Sequence, residues 1–428
     1  MKEGKSFEIS RHQVLGAYKR VKANQGAGGI DEVNFAEFDK ELKDNLYKIW
    51  NRMSSGSYFP SAVKGVEIPK KNGKMRLLGI STIADRVAQM VVLMNFEPLV
   101  EPIFHPDSYG YRPNRSALDA VGATRGRCWK MPWLIEYDIV GMFDNIDHEL
   151  LMKAVRKHTD NKWVILYIER ALVAPIKMPD GTIKERTSGV PQGSVLSPVL
   201  SNLFMHYAFD LWMGRENPDN PWARYADDGI IHCRSKEEAE RVVEKLRKRL
   251  LECKLEIHPE KTRIVFCRSD NNPGRHEHES FDFLGYTFRR RRVRSKEGKY
   301  FNGFTPAVSK AAQQRLRDKI RSIRMANKSA DIGTLAELMN PTIRGWANYF
   351  AKYNKSEAYN ALNFVNRTLA NWVRKKYKSV KRSYTKALTR LGKIGKASPD
   401  LFHHWRLGIK PAVREQEPYD ARVSRTVL

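Results

Sequence analysis

Three aspartates stand where carboxylates are costly. WARYADDGIIHC (222–233) sets Asp227 and Asp228 side by side at what reads as the tip of a strand hairpin. Asp138 lies within WLIEYDIVGMF (133–143), an otherwise apolar strand in which an ionised side chain needs a partner or a metal. Each has a plainer reading when taken alone. An Asp-Asp pair in a turn is usually a solvated tip, and Asp138 could cap the helix that begins near Asp147. The flanks argue the other way for the pair: Tyr225 before it and Gly229, Ile230 and Ile231 after it point to buried strands that hold the carboxylates on a rigid base. Together the sites supply hard oxygen ligands, which suit Mg²⁺ completed by phosphates and water. Two such ions about 4 Å apart can clamp the attacking and leaving oxygens of an in-line phosphoryl displacement.

These carboxylates need elements to position them. The 89 residues from Asp138 to Asp227 leave room for helices between strands of one small sheet. In that interval SGVPQGSVLSPVLSNLFMHYAFDLW (188–212) reads as a glycine-bearing turn running into an amphipathic helix. Ser194 is placed to cap that helix, and Pro198 is tolerable near its first turn. Such a turn offers amide donors and a positive dipole end to a nucleotide or template strand. Upstream, helical spacing predicts helices over 11–23 and 34–54, joined by the connector QGAGGID. VKGVEIPKKNGKMRLLGI (63–80) reads as two strands around a Lys-Asn-Gly-Lys turn, followed by helices over 84–101 and from about 116. Helices and strands then alternate to FDFLGYTF (281–288). After RRRRVRSKEGK the pattern becomes mostly helical, over 308–327, 332–353, 357–378 and 380–391, with a domain boundary near 295–305. HEHE at 276–279 reads as a solvated loop rather than a metal site.

Composition bounds the rest. A chain of 428 residues, 41% apolar and 10% aromatic, can build two or three cores. No run approaches the roughly 20 apolar residues that span a bilayer, and MKEGKSFEIS has no apolar segment of a secretion signal. The four cysteines are scattered without a C-x-x-C pair, so reduced thiols in a cytoplasmic setting are expected rather than disulfides or a zinc knuckle. The formal net charge of +28 points to a polyanionic partner. It is unevenly placed. Residues 289–428 hold 33 Lys and Arg against 9 Asp and Glu, whereas the preceding 288 hold 43 against 39. Trp346, Tyr349, Phe350, Tyr353, Trp372, Tyr377 and Tyr384 interleave the basic third, a pattern of nucleic-acid binding.

Seven ordered blocks resemble the reverse transcriptases encoded by group II introns: SYGYRPNRSALDA (108–120), YDIVGMFDNIDH (137–148), SGVPQGSVLSP (188–198), YADD (225–228), HPEKTRIVF (258–266), FDFLGYTF and PTIRGWANYF (341–350). The resemblance implies an α+β right-hand polymerase, with fingers and a palm built on a small antiparallel sheet, then an all-helical thumb or maturase domain. It implies an N-terminal helical extension over 1–60, fingers and palm over 61–295, the thumb over 305–395 and a basic tail over 396–428 with a DNA-binding role left open. By the same resemblance Asp138, Asp227 and Asp228 are the metal-binding triad, with Asp227 the more direct ligand of the last two, and Ile139 beside Asp138 contributes to metal and nucleotide binding. Phe143 falls at the gate that excludes a 2′-OH. Lys70 and Arg76 match residues that grip the incoming triphosphate, Gln192 meets the nucleotide, and Lys261 matches a proton donor to pyrophosphate. Phe283, Leu284, Gly285 and Tyr286 match the primer grip. Read from residue type alone, Lys70, Arg76 and Lys261 would be surface cations.

The expected function is therefore RNA-directed DNA synthesis with two Mg²⁺ ions, for which Mn²⁺ could substitute. The expected substrates are dNTPs and an RNA template with a DNA primer. The parent intron RNA and a DNA target site are the expected partners, with splicing assistance and retrohoming as the biological roles. The alternatives are a retron, diversity-generating or defence-associated reverse transcriptase, and an RNA-binding splicing factor with a vestigial polymerase site. Longer members of the family carry a zinc-containing HNH endonuclease. The chain stops within about 20 residues of HHWRLGI (403–409) and lacks the cysteine pairs and His-Asn-His set, so target-strand cleavage is not expected of it.

Overall fold

A computed structural model describes residues 5–69, 75–295 and 297–411. Contacts divide the chain into two compact units, Met1–Phe266 and Cys267–Leu428.

The first unit opens with α1 (Arg11–Asn24), α2 (Phe35–Lys40) and α3 (Leu42–Ser54). A capping box between Ser10 and Gln13 starts α1. The single helix expected over 34–54 breaks at Glu41, and the Asn45 side chain takes up the Phe38 carbonyl at 3.0 Å. Strands β1 (Val63–Pro69) and β2 (Met75–Ile80) pair antiparallel, and their connecting turn, with the predicted Lys-Asn-Gly-Lys, falls outside the described residues. Helix α4 (Ile83–Val100) is buried on nearly every side, as its near-continuous apolar sequence requires.

There follow α5 (Ala117–Cys128), β3 (Trp133–Tyr137), α6 (Met142–Asn145), α7 (His148–His158), α8 (Lys162–Val173), and the short β4 (Ile176–Lys177) and β5 (Ile183–Lys184). Next come α9 (Ser197–Met205) and α10 (Leu211–Glu216), joined through one π-helical turn at His206–Asp210. The unit closes with β6 (Trp222–Tyr225), β7 (Asp228–Cys233), α11 (Lys236–Glu252) and β8 (Arg263–Phe266). The strands form two sheets, in the orders β2-β1-β4-β5 and β6-β7-β3-β8. The second sheet is wholly antiparallel. Its inner strands are apolar on both faces because helices cover it; α11 contributes Ala239, Val242, Leu246 and Leu250 at helical spacing. One core runs through this unit from Ile9 to Phe266.

The second unit begins with a three-stranded antiparallel sheet of β9 (Ser280–Phe283), β10 (Tyr286–Arg294) and β11 (Tyr300–Val308), with β10 in the middle. The stretch read from sequence as a boundary at 295–305 contains the turn of the β10–β11 hairpin and six of the nine residues of β11. RRRRVR hides this strand because arginines replace the apolar residues that would mark the period of two. Five helices follow: α12 (Lys310–Ala326), α13 (Ile332–Phe350), α14 (Lys355–Lys376), α15 (Tyr384–Ala397) and α16 (His403–Arg406). They enclose a separate core from Leu316 to Ile409. Phe402, His404 and Trp405 are buried in it, and the Asn366 side-chain oxygen accepts from Trp405 Nε1 and meets His404 Nε2, each at 2.8 Å. The segment up to Pro411 is thus packed, and the rest of the predicted tail lies outside the described residues.

Candidate active site

The register of the second sheet gathers the three aspartates. Tyr137 pairs with Gly229, so continuing one step sets Asp138 across from Asp228. Tyr225 pairs with Asp228, which leaves Ala226 and Asp227 as a two-residue hairpin loop. All three carboxylates therefore lie at one end of adjoining strands. Ala226 adopts φ 58°, a left-handed conformation that strains a residue with a Cβ and persists only where the surroundings enforce it. Gly229 has a different reason to be glycine: an added Cβ would come within 2.2 Å of the Tyr137 ring.

An unforeseen network holds the hairpin from below. Arg224, fully buried, donates from Nε and Nη2 to the Asp210 carboxylate at 2.9 and 2.8 Å. The same guanidinium reaches Asn202 Oδ1 at 3.2 Å, Ser108 Oγ at 2.9 Å and, decisively, the Ala226 carbonyl at 3.2 Å. Asp210 ends the π-helical turn, a local widening that proteins often keep at functional sites. A buried pair of this kind supports the loop because every polar atom is answered; removing one partner would strand a charge. Each residue alone carried a signal in the sequence, though nothing there pairs the two. Arg224 and Asp210 are charges embedded in apolar runs, like Asp138.

At the strand ends burial comes first and like charge second in disfavouring ionised carboxylates. Burial, then repulsion from Asp227 and Asp138, pushes the Asp228 carboxyl up to about 7, with Lys261 opposing. Asp227 is raised as well, by burial first and by Asp138, with Lys261 and Arg76 opposing. Asp228 is nonetheless open to solvent on one side, so solutes reach a carboxyl that protein crowds from the others. Lys261 donates from Nζ to Asp138 Oδ2. A register change puts it there. Ile139 bridges Ile257 whereas Glu136 pairs with Arg263, so three extra residues bulge from the chain that contains Lys261.

Gln192 links two charged neighbours: its Oε1 accepts from Arg76 Nε, and its Nε2 donates to both Asp144 carboxylate oxygens at 3.2 and 3.3 Å. The Gln192 carbonyl also accepts from the Gly79 amide at 2.8 Å, which ties this loop to β2. Phe143, half-buried, stands edge-on to the exposed Tyr111 ring at 6.3 Å, while its carbonyl accepts from Val190 N at 2.7 Å. Gly189 sits against this turn at φ 79°, where a Cβ would meet the Phe143 and Asp144 carbonyls within 3 Å. The Ile139 side chain is buried, leaving only its backbone to face a ligand. Ser194 is not the helix cap: α9 starts two residues beyond the expected reach, and the Ser194 hydroxyl instead donates to Gln89 Oε1 at 2.9 Å. Asp147 does cap α7, accepting from Leu150 N at 2.9 Å, which frees Asp138 of that role. Lys70 lies outside the described residues.

Among the described residues no three His, Cys, Asp or Glu side chains enclose a metal by themselves. The donor set still fits a hard divalent ion that takes phosphates and water as further ligands. The ammonium on Asp138 Oδ2 shows that this oxygen accepts positive charge, and the raised carboxyls of Asp227 and Asp228 lack compensation a cation would supply.

In the second unit the two-residue loop Leu284–Gly285 joins β9 and β10 with both φ angles positive, 51° and 84°. Phe283 and Tyr286 are buried on either side. The Tyr349 hydroxyl donates to the Leu284 carbonyl at 2.8 Å, and Tyr286 packs among Tyr349, Phe350 and Tyr353 with ring centroids 5.2–5.7 Å apart.

A family model described as reverse transcriptase (RNA-dependent DNA polymerase) matches residues 68–288. The chain belongs to that family. A second model, the group II intron maturase-specific domain, matches residues 313–392, within α12–α15. Protein YkfC of Escherichia coli (strain K12) is 34% identical over 313 residues, covering 63% of this chain and 77% of that protein. The group II intron-encoded protein LtrA of Lactococcus lactis subsp. cremoris is 32% identical over 221 residues, 49% of this chain and 36% of LtrA. The putative COX1/OXI3 intron 1 protein of Saccharomyces cerevisiae is 29% identical over 197 residues, 46% of this chain and 23% of its own length. The chain thus spans well under half of the two intron-encoded relatives. Reverse transcriptases work with divalent metal ions, in agreement with the donor set above.

Proposed function

We propose that this reverse transcriptase binds its parent group II intron RNA, assists its splicing and copies it during retrohoming. The carrying observation is the strand end that gathers Asp138, Asp227 and Asp228 in a chain that continues into a maturase-specific domain. The sheet β6-β7-β3-β8 serves as palm, the sheet β2-β1-β4-β5 with the leading helices as fingers, and α12–α16 as thumb. The near-neutral first part does chemistry, and the cationic later part holds template, primer and structured RNA through phosphates and stacking.

In the reaction the primer 3′-OH attacks the α-phosphate of a dNTP in line, and pyrophosphate leaves. Asp138 and Asp227, helped by Asp228 and the Ile139 backbone, would hold two Mg²⁺, which lower the cost of charge on the attacking and leaving oxygens. Arg76, with Lys70, grips the triphosphate, and Gln192 positions the nucleotide between Arg76 and Asp144. Lys261 delivers a proton to the departing pyrophosphate. Phe143, backed by Tyr111, excludes a 2′-OH, and the Phe283–Tyr286 turn steadies the primer. Catalysis is positioning and charge stabilisation, with no covalent protein intermediate.

The test is primer extension on an RNA template with dNTPs against NTPs. Wild type is expected to use dNTPs. Phe143→Ala is expected to raise ribonucleotide use at least about 10-fold, the scale of a removed steric contact. Unchanged sugar selectivity would remove Phe143 from the gate, and synthesis with NTPs by wild type would contradict DNA synthesis.

A further inference from the structure

The β10–β11 hairpin outruns its sheet. β9 pairs with β10 only over Tyr286–Arg289, whereas β10 and β11 continue as a two-stranded ribbon from Arg290/Phe304 to Arg294/Tyr300. Residues facing one another across an antiparallel pair share a face, so Arg290, Arg292 and Arg294 line one side at about 7 Å intervals, with Tyr300 and Asn302 opposite. The base of this face is braced. Asp270 accepts from Arg290 Nη2 at 3.0 Å and from the Asn302 amide at 2.7 Å.

The far end is different. Tyr300 is 61% exposed, with the Arg292 guanidinium 4.6 Å and the Arg294 guanidinium 5.9 Å from its ring. Neither arginine has a carboxylate partner among the described residues. Arg294 donates from Nε to the Gly298 carbonyl at 3.2 Å, so the pair of guanidiniums is held against the Tyr300 ring with its charge turned to solvent. This assembly matches one chemistry. Unpaired RNA bases stack on aromatic rings and guanidinium planes while their phosphates take Arg.

We infer that the Arg292–Arg294–Tyr300 ribbon end is an RNA-docking site that takes an unpaired nucleotide of structured RNA, its base on Tyr300 and its flanking phosphates on the two arginines. The inference rests on the RNA-holding role proposed for the later part of the chain and names a site for it outside the helical maturase match. A fully paired helix offers phosphates but no free base, so looped RNA is the favoured ligand. The two strands bring only cations to this end, with Glu297 in the turn as the one nearby acid in sequence, in a region whose 33 cations face 9 acids.

The experiment uses the full chain and three labelled probes: an RNA hairpin with an unpaired loop, a blunt RNA duplex, and a DNA hairpin of the same sequence. Binding is measured across a salt series for wild type, R292A/R294A, R292K/R294K and Y300L, with melting temperature as the fold control. R292A/R294A is expected to weaken looped-RNA binding about 10-fold and to flatten the log–log salt slope by about 1.4, two phosphate contacts at about 0.7 each on a single strand. R292K/R294K should keep the slope. Y300L should lose about 5-fold or more on looped RNA, the low end for one stacked base, and little on duplex. Wild-type binding to looped RNA with unchanged R292A/R294A and Y300L would overturn the ribbon alone. Equal losses on the DNA hairpin would overturn its assignment to RNA. Failure of wild type to bind any RNA would remove the RNA-holding reading itself, and the ribbon's role with it. Should R292A/R294A melt early, Y300L and R292K/R294K decide the matter.

Discussion

Two hairpins of this chain make nearly the same turn for different ends. β6–β7 and β9–β10 each close through two residues, and each sets a residue with a side chain in the left-handed region, Ala226 at φ 58° and Leu284 at φ 51°. What differs is the brace. Beneath Ala226 lies a buried ion pair, Arg224 with Asp210, whose guanidinium holds the loop carbonyl. Beside Leu284 lie neutral rings and one tyrosine hydroxyl on the loop carbonyl. A tip that presents two carboxylates is held by charge sealed from water, and a tip that presents only backbone is held by packing. The strain is alike, while the cost of losing the brace should not be.

The largest effect should come from Arg224→Met, which keeps volume but leaves Asp210 charged and alone. It is expected to lower the stability of the first unit by about 3–5 kcal/mol in denaturant unfolding. Arg224→Met with Asp210→Leu should lose much less, since both charges go together. A cost below about 1 kcal/mol for the single change would break the contrast between the two braces.

A pH series separates the hairpins next. The folded Asp228 carboxyl titrates near 7, above the ordinary carboxylate value near 4, so the folded state binds its proton more tightly than the unfolded chain. Stability without divalent ions should therefore fall as pH rises from about 4 to about 7, and Asp227 acts in the same direction. Mg²⁺, bound only when folded, should restore it at pH 7. Melting temperatures with and without Mg²⁺ check this, and Asp228→Asn should flatten the profile. A profile identical in wild type and Asp228→Asn would contradict the crowding of the three carboxylates.

The smallest effect belongs to the neutral brace. Tyr349→Phe keeps the ring and removes the bond to the Leu284 carbonyl, for an expected loss of about 1 kcal/mol in unfolding of the second unit. A loss as large as that of Arg224→Met would show that both tips rest on polar braces.

Much of this was legible in the residues. The apolar flanks of YADD and of Asp138 gave the strands, and the order of the blocks gave the family. Helix starts near residues 11 and 147 were readable, whereas the cap named from sequence, Ser194, bonds Gln89 instead. Three things were not legible, for separate physical reasons. The ribbon carries arginine where a strand usually alternates apolar residues, so it looked like a linker. The Arg224–Asp210 pair joins residues 14 apart through a π-helical turn, which no helical or strand period announces. The approach of Lys261 to Asp138 depends on a three-residue bulge, and bulges follow from register rather than composition.

On the proposed function, chemistry and RNA holding reside in different parts of one chain. Asp227→Asn keeps shape and removes charge at the strand end, so primer extension and binding to structured RNA should be measured on the same preparation. Synthesis is expected to fall by at least about 10³-fold, the upper range for one charge-stabilising group, while RNA affinity stays within about 2-fold. Retained synthesis would contradict the aspartate site, and parallel loss of both activities in a protein of unchanged melting temperature would contradict the division of labour.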